Sequence, residues 1–348
     1  MFKTDKILIM RYKAAVIGCG RIGSKFDEDL KRKKISSHCG AYTNHPLIDL
    51  VAVCDKNKLN LNSCMAKWNV KSGYSDYKAM LEDKSIAFLS ICTHPDTHFE
   101  IIDYAIKKNI RNIFCEKPLS NNLKDARYLV DKCKNNNIIL SVNHTRRWNK
   151  IFYDLKNFLL NEEFGDLQHV NFYYTRGIAN SGSHLFDIIR FLFGEVSSVS
   201  AISSIKDFGE DLTISSTLEM LNGLIINLIG LNGDKYRVFD LEIFGSKSKL
   251  LLDTSNKITY YKAASSKRSS EFKELYLDAY PKRVDYDQEV FIDIISNLIN
   301  SFEKNISSKC SGFDGYKSLE LIIASIVSLK EQRTVSLPIN ENIYNFKI

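Results

Sequence analysis

Residues 13–23, KAAVIGCGRIG, constrain the fold more than any other stretch. Residues 14–17 are uniformly apolar rather than alternating, the pattern of a strand buried on both faces of a parallel sheet. Three glycines at the G-x-G-x-x-G spacing follow without a gap. In a dinucleotide-binding turn Gly18 permits the tight reversal, Gly20 lets the backbone approach a pyrophosphate, and Gly23 lets the next segment pack on the sheet. The N–H groups of the turn, Arg21 and Ile22 included, would receive the pyrophosphate at a helix start, where the dipole favours negative charge. The pattern alone is weak. A strand before it and an acidic residue closing the next strand are the context that supports it.

The charged stretch 24–34, SKFDEDLKRKK, is a poor buried-face helix, and Asp55 lies further from the glycines than the usual spacing of ~20 residues. An insertion around residues 25–36 is therefore expected, followed by a helix near 37–45. Residues 47–54, LIDLVAVC, form the second strand, and Asp55 at its end is placed to accept hydrogen bonds from an adenosine ribose. A carboxylate there repels a 2′-phosphate and favours NAD over NADP, a preference tempered by Lys56. Helices are expected over 59–68 and 77–82, then a strand over 87–92 ending in Thr93-His94-Pro95-Asp96-Thr97-His98. Asp96 or Thr97 can cap a helix over 99–108. Thr93 and Pro95 fall on the cofactor's side, and His98 fits either a cofactor contact or helix packing. His38 and His45 have no evident partner and are expected at the surface. Residues 112–115 are a strand ending in Glu116-Lys117-Pro118; Ser120 caps a helix to about residue 134, and residues 138–142 are a further strand. Strands alternating with helices mean a doubly wound parallel sheet, whose ligands bind beyond the carboxyl ends of the strands.

The length of 348 residues suggests two domains, drawn here at 1–145 and 146–348, with the C-terminal helices able to pack back onto the first. A net charge of +7 with both signs interleaved leaves no nucleic-acid footprint. No apolar run approaches the ~18 residues of a membrane span. Eight cysteines show neither CxxC nor metal spacing, and several sit inside apolar strand patterns, which reads as free thiols in a reducing, cytoplasmic compartment. No His, Cys, Asp or Glu set has metal spacing. Residues 7–10 are too short for a signal-peptide core. The first nine residues are expected to be a dispensable extension, with Met10 as an alternative start.

In the second half, residues 150–160 read as a helix and 167–175 as a strand. A helix over 184–192 places His184 and Asp187, three apart, on one face. Between residues 196 and 277 strand follows strand, punctuated by Asn222-Gly223, Asn232-Gly233-Asp234 and Gly245-Ser246, the pattern of an antiparallel sheet. Two helices, 289–302 and 316–333, close the chain.

FCEKPLS at 114–120, downstream of GCGRIG, VAVCD and CTHPDTHFE, resembles the glucose–fructose oxidoreductase / inositol dehydrogenase / MocA (Gfo/Idh/MocA) oxidoreductase family. NHTRRW at 143–148 and GSHLFDIIRFLFG at 182–194 fall in the same order, so the resemblance covers nearly the whole chain. It implies a Rossmann domain followed by an α+β domain with a large, mainly antiparallel sheet, whose open face often makes the interface of a homodimer or homotetramer. It implies NAD(P)-dependent oxidation or reduction at a hydroxyl of a sugar, cyclitol or nucleotide sugar. The family lysine maps to Lys117, beside the expected nicotinamide with Glu116; its histidine maps to His184 and its following acid to Asp187. One departure stands out: where the family often has an aspartate four residues before the histidine, this chain has Asn180, which can hydrogen-bond a sugar hydroxyl but cannot take a proton.

Removing hydride from a carbinol carbon leaves a hydroxyl proton for a base of near-neutral pKa, which suits His184, with Asp187 orienting the ring. Lys117 would donate to the reacting oxygen and favour its alkoxide-like form. His144, Arg146, Arg147 and Trp148 sit where the first domain passes to the second; the two guanidiniums and the indole could hold a sugar or anionic ligand, or equally lock the domains together. Two other readings of the same scaffold are an NAD-dependent glycosidase working by transient oxidation and a non-catalytic, NAD-binding sugar sensor.

Overall fold

The computed structural model describes residues 11–82, 85–208, 210–281 and 287–348. The expected N-terminal extension, residues 1–9, lies outside them. The chain divides into two compact units.

The first unit holds residues 11–121, 125–145 and 289–315 of the described chain. Six strands form its sheet: β1 (Tyr12–Ile17), β2 (Ile48–Cys54), β3 (Ser72–Tyr74), β4 (Phe88–Ile91), β5 (Asn112–Cys115) and β6 (Ile139–Val142). Their order is β3-β2-β1-β4-β5-β6, and every pairing is parallel. β1 turns outward into the glycine motif where the strand order reverses, the place at which such sheets bind ligands. Short apolar runs made strands rather than helices because both faces are covered: β4 and β5 are buried at every residue. The connecting helices are α1 (His38–Asn44), α2 (Lys58–Trp68), α3 (Tyr77–Leu81), α4 (His98–Lys107) and α5 (Leu123–Asn135). β3, with two of its three residues exposed, carried no apolar signal in the sequence.

Two details differ from expectation. α4 has Thr97 at its N-cap, but no side-chain cap bond forms. The Thr97 hydroxyl lies instead 2.8 Å from both Thr93 Oγ1 and the His94 carbonyl, because a 3-10 turn over Pro95–Thr97 precedes the helix. α5 starts at Leu123, three residues after Ser120.

The second unit holds residues 122–124, 146–281, 287–288 and 316–348 of the described chain. After α6 (Lys150–Leu159) come β7 (Leu167–Tyr174), α7 (Ser183–Phe193), β8 (Val196–Phe208), β9 (Asp211–Met220), β10 (Ile225–Gly230), β11 (Phe239–Gly245), β12 (Ser248–Leu252), β13 (Ile258–Ser265) and β14 (Lys273–Asp278). α8 (Val290–Lys304) belongs to the first unit, where Phe302 packs on Phe88 and Tyr12 and Ser296 meets His45. α9 (Gly312–Glu331) follows, and β15 (Val335–Ser336) pairs with β8. The nine-stranded sheet runs β14-β13-β12-β11-β7-β10-β9-β8-β15. Its pairings are antiparallel except for β10 with β7. β7 alternates, with Val170, Phe172 and Tyr174 buried and His169, Asn171 and Tyr173 on the other face.

Candidate active site

The glycine turn is built by contact. Gly18 has φ +96°, and a Cβ there would lie 2.6 Å from the Cys92 carbonyl oxygen. A Cβ on Gly23 would lie 1.9 Å from the Gly18 oxygen, so both positions admit only hydrogen. Gly20 differs: a Cβ there would meet nothing within 4 Å. Its bareness opens space at the turn instead of relieving an internal clash, which is what close approach of a pyrophosphate requires.

No α-helix leaves this turn directly. Ser24 and Lys25 donate to the Gly20 carbonyl and Phe26 to Arg21, after which the chain departs. It returns at residue 38, where the N–H groups of His38 and Cys39 donate to the carbonyls of Ile22 and Gly23 as though the intervening residues were absent. The expected insertion is therefore spliced into the first turn of the helix, and Asp27 closes it by accepting from the Ser36 amide and the Ser37 hydroxyl. The helix dipole expected at the glycine motif is not there: α1 begins fifteen residues after Gly23 and spans only seven. Anion binding there rests on the N–H groups of the turn itself.

Beyond the strand ends lies a cleft of about 270 Å³ walled by Gly18, Gly20, Asp55, Thr93, His94 and Thr97, among others. Asp55 Oδ2 accepts from the Cys19 amide at 2.8 Å and Oδ1 from the Asn57 amide at 2.7 Å. Each oxygen keeps a lone-pair direction for a ribose hydroxyl. A carboxylate fixed in this way, opposite a turn with open space at Gly20, fits the adenosine and pyrophosphate of a dinucleotide.

His98 does not join that wall. It is fully buried, with Nδ1 2.9 Å from the Pro118 carbonyl oxygen and Nε2 3.2 Å from that of Thr93. Burial lowers its pKa, against the raising effect of the two carbonyls. The expected cofactor contact is thus corrected to a brace between the loops carrying Thr93 and Lys117. The reason is steric, because the helix start turns the ring inward.

Glu116 points into the domain. Its Oε1 lies 3.0 Å from His38 Nε2 and accepts from Asn143 Nδ2 at 2.6 Å, while His38 Nδ1 lies 2.9 Å from Ser90 Oγ. Burial alone would raise the Glu116 pKa, but hydrogen bonds from His38 and Asn143 and the charge of Lys117 outweigh it, and the net direction is down. Glu116 is an ionised anchor beneath Lys117, itself half-buried at the strand end. The surface expectation for two histidines is overturned: His38 is fully buried in this network, and His45 is buried against Ser296. Neither could be read locally, since Glu116 is 78 residues from His38 and Ser296 is 251 from His45.

In the second unit Arg147 and Asp187 meet. Asp187 Oδ1 accepts from Arg147 Nη2 at 2.5 Å and Oδ2 from Nε at 3.0 Å, both side chains being buried. Two expectations change as a result. Asp187 is held by a guanidinium as well as sharing a helix face with His184, and Arg147 braces α7 rather than presenting itself to a ligand. Trp148 is buried too, its carbonyl accepting from Gln288 Nε2. The guanidinium left for a ligand is that of Arg146. It stacks 3.6 Å from the Phe239 ring centroid, and burial lowers its pKa to about 10. Among the described residues no carboxylate pairs with it. Asn180 lies in a single π-helical turn, Gly177–Gly182, that runs straight into α7 and His184.

A parallel sheet in this order, with a glycine turn opposite a strand-end carboxylate, defines a dinucleotide-binding domain. Residues 12–144 match the oxidoreductase family with an NAD-binding Rossmann fold, and residues 175–251 match the GFO/IDH/MocA C-terminal domain. The chain belongs to the Gfo/Idh/MocA oxidoreductase family. Myo-inositol 2-dehydrogenase of Thermotoga maritima is 26% identical, over 93% of this chain and 98% of that one. D-apiose dehydrogenase of Paraburkholderia graminis is 24% identical, over 94% and 90%. Among solved structures, levoglucosan dehydrogenase in complex with NADH and levoglucosan has the same fold, with TM-score 0.80 at 17% identity over 94% of this chain and all of that one.

Proposed function

We propose that this protein is an NAD-dependent dehydrogenase that oxidises a hydroxyl-bearing carbon of a sugar or cyclitol, with residues 1–145 as the cofactor domain, joined by the C-terminal stretch 289–315, and the rest of 146–348 as the substrate domain. The observation that carries the reading is the strand-end carboxylate of Asp55 in the cleft beside the open space at Gly20. The dehydrogenases named above, acting on inositol and apiose, support the substrate class.

When bound, NAD supplies the hydride acceptor. Gly20 and the turn through Arg21 and Ile22 receive its diphosphate, and Asp55 accepts from its ribose. A doubly hydroxylated ribose satisfies the Asp55 carboxylate, whereas a 2′-phosphate would repel it, so NAD is preferred to NADP. Thr93 lines the same cleft, and Pro95, two residues on, opens the 3-10 turn beside it. Lys117, its backbone fixed by the Glu116 anchor on one side and by His98 through Pro118 on the other, donates to the substrate oxygen whose carbon is oxidised. His184 takes the hydroxyl proton, and Asn180, one turn earlier, hydrogen-bonds a neighbouring hydroxyl. Arg146, held against the Phe239 ring, offers the substrate's oxygens a guanidinium donor.

The test is NADH formation at 340 nm with myo-inositol, D-apiose, levoglucosan and a panel of sugars and nucleotide sugars. Turnover is expected with at least one polyol and with NAD over NADP. Lys117→Met and His184→Gln should each bind NAD normally and lose about 10²-fold or more in kcat. Undiminished turnover in either variant refutes that residue's role, and failure of the whole panel refutes the substrate class.

We further propose a cytoplasmic location, supported by eight buried cysteines of which none is in a disulfide. Association of copies through the open face of the nine-stranded sheet is proposed as well, to be read by light scattering.

A further inference from the structure

Asn180 leaves the segment before His184 without a carboxylate of its own, yet a carboxylate is present there. Arg176 and Gly177, with φ of 72° and 79°, reverse the chain after β7. Residues Gly177–Gly182 then wind one π-helical turn that continues as α7. Such a turn is rare and its leading N–H groups have no partner within the helix. Two side chains of one strand take up three of these donors. Asp211 and Thr213 open β9 and, being two apart, face the same way. Asp211 Oδ1 accepts from the Ala179 amide at 3.0 Å and Oδ2 from the Asn180 amide at 2.8 Å, while Thr213 Oγ1 accepts from Gly177 at 2.8 Å. The fit leaves no slack: a Cβ on Gly177 would lie 2.0 Å from Asp211 Oδ2.

We infer that Asp211 is a positioning residue for the reaction: its carboxylate, clamping the Ala179 and Asn180 amides, holds the π turn that aims the Asn180 side chain and starts the helix of His184. The negative charge missing from side chain 180 is thus supplied to the backbone of the same residue by another strand. Both carboxylate oxygens are in use, so asparagine, with one acceptor, preserves part of the clamp, and alanine preserves none. The inference rests on His184 and Asn180 acting on substrate.

The experiment compares the full-length wild type with Asp211→Ala and Asp211→Asn. Hydrogen exchange read by mass spectrometry on peptides covering residues 176–186 should quicken roughly ten-fold or more in Asp211→Ala and less in Asp211→Asn, with peptides of the first unit unchanged. NAD affinity by calorimetry should stay within about two-fold, and kcat on the polyol found in the screen above should fall at least about ten-fold in Asp211→Ala and be partly rescued in Asp211→Asn. Unchanged exchange over 176–186 overturns the inference. So does quickened exchange with kcat intact, which would make Asp211 a structural cap only. If the wild type oxidises nothing in the panel, the dehydrogenase reading fails by itself and the exchange arm alone decides the clamp.

Discussion

His38 has sequence neighbours that say little about its role, and its tertiary partners define that role. Removing it by His38→Leu leaves the Glu116 carboxylate buried with fewer donors, and a buried acceptor that loses its partner costs about 1–3 kcal/mol. Urea unfolding should register that loss, and Glu116→Gln added to His38→Leu should recover part of it, because the stranded charge is then gone. Additive losses in the double variant would mean that the two residues do not interact as drawn. The same contrast separates legible residues from illegible ones. Gly18, Gly20, Gly23 and Asp55 could be read because their roles follow from local spacing and strand ends. His38, Asn143 and Asp211 could not, since each acts on a partner brought to it by the sheets.

At the scale of elements, the glycine turn and the spliced helix invite a paired test. Gly20→Ala introduces a methyl that meets no protein atom, so stability should change by less than about 1 kcal/mol while NAD binding weakens. Gly23→Ala drives a methyl into the Gly18 carbonyl and should destabilise by about 1–3 kcal/mol. Thermal unfolding and NAD calorimetry on both variants separate the ligand-facing glycine from the packing glycine; equal stability losses would contradict the geometry. The insertion was legible because residues 24–34 lack an apolar stripe and Asp55 comes late. That the helix resumes its hydrogen bonding across the gap was not, because those bonds join residues 22 and 38 through backbone alone.

At the scale of the molecule, buried titratable groups set the acid stability. Burial lowers the His98 pKa below its unfolded value of 6.5, so the folded state resists the proton that the unfolded chain accepts. Its contribution is complete above pH 6.5 and declines as the pH falls below that value; His45, also lowered by burial, adds in the same direction. Glu116 is depressed below its unfolded 4.5, so its stabilisation holds above that pH and is lost as the pH falls further. Denaturant midpoints measured downward from neutral pH should therefore fall in two stages, and His98→Asn should flatten the first. A flat profile between about pH 6.5 and 5 in the wild type would show that His98 is not held neutral.

By itself the sequence determined most of the elements and their order, though not β3, β15 or the π turn before α7. Apolar runs without alternation demand a covered parallel sheet, alternating runs broken by Asn-Gly turns demand an antiparallel one, and both follow from backbone periodicity. It also determined where a dinucleotide turn lies, since only glycine tolerates φ +96° at residue 18 and the contact at residue 23. Tertiary structure decided which polar side chains are paired. Arg147 is paired with Asp187 while its neighbour Arg146 lies against Phe239, and Asp211 rather than residue 180 brings the carboxylate. Such pairings depend on which strands and helices lie side by side, and chain order alone does not specify that.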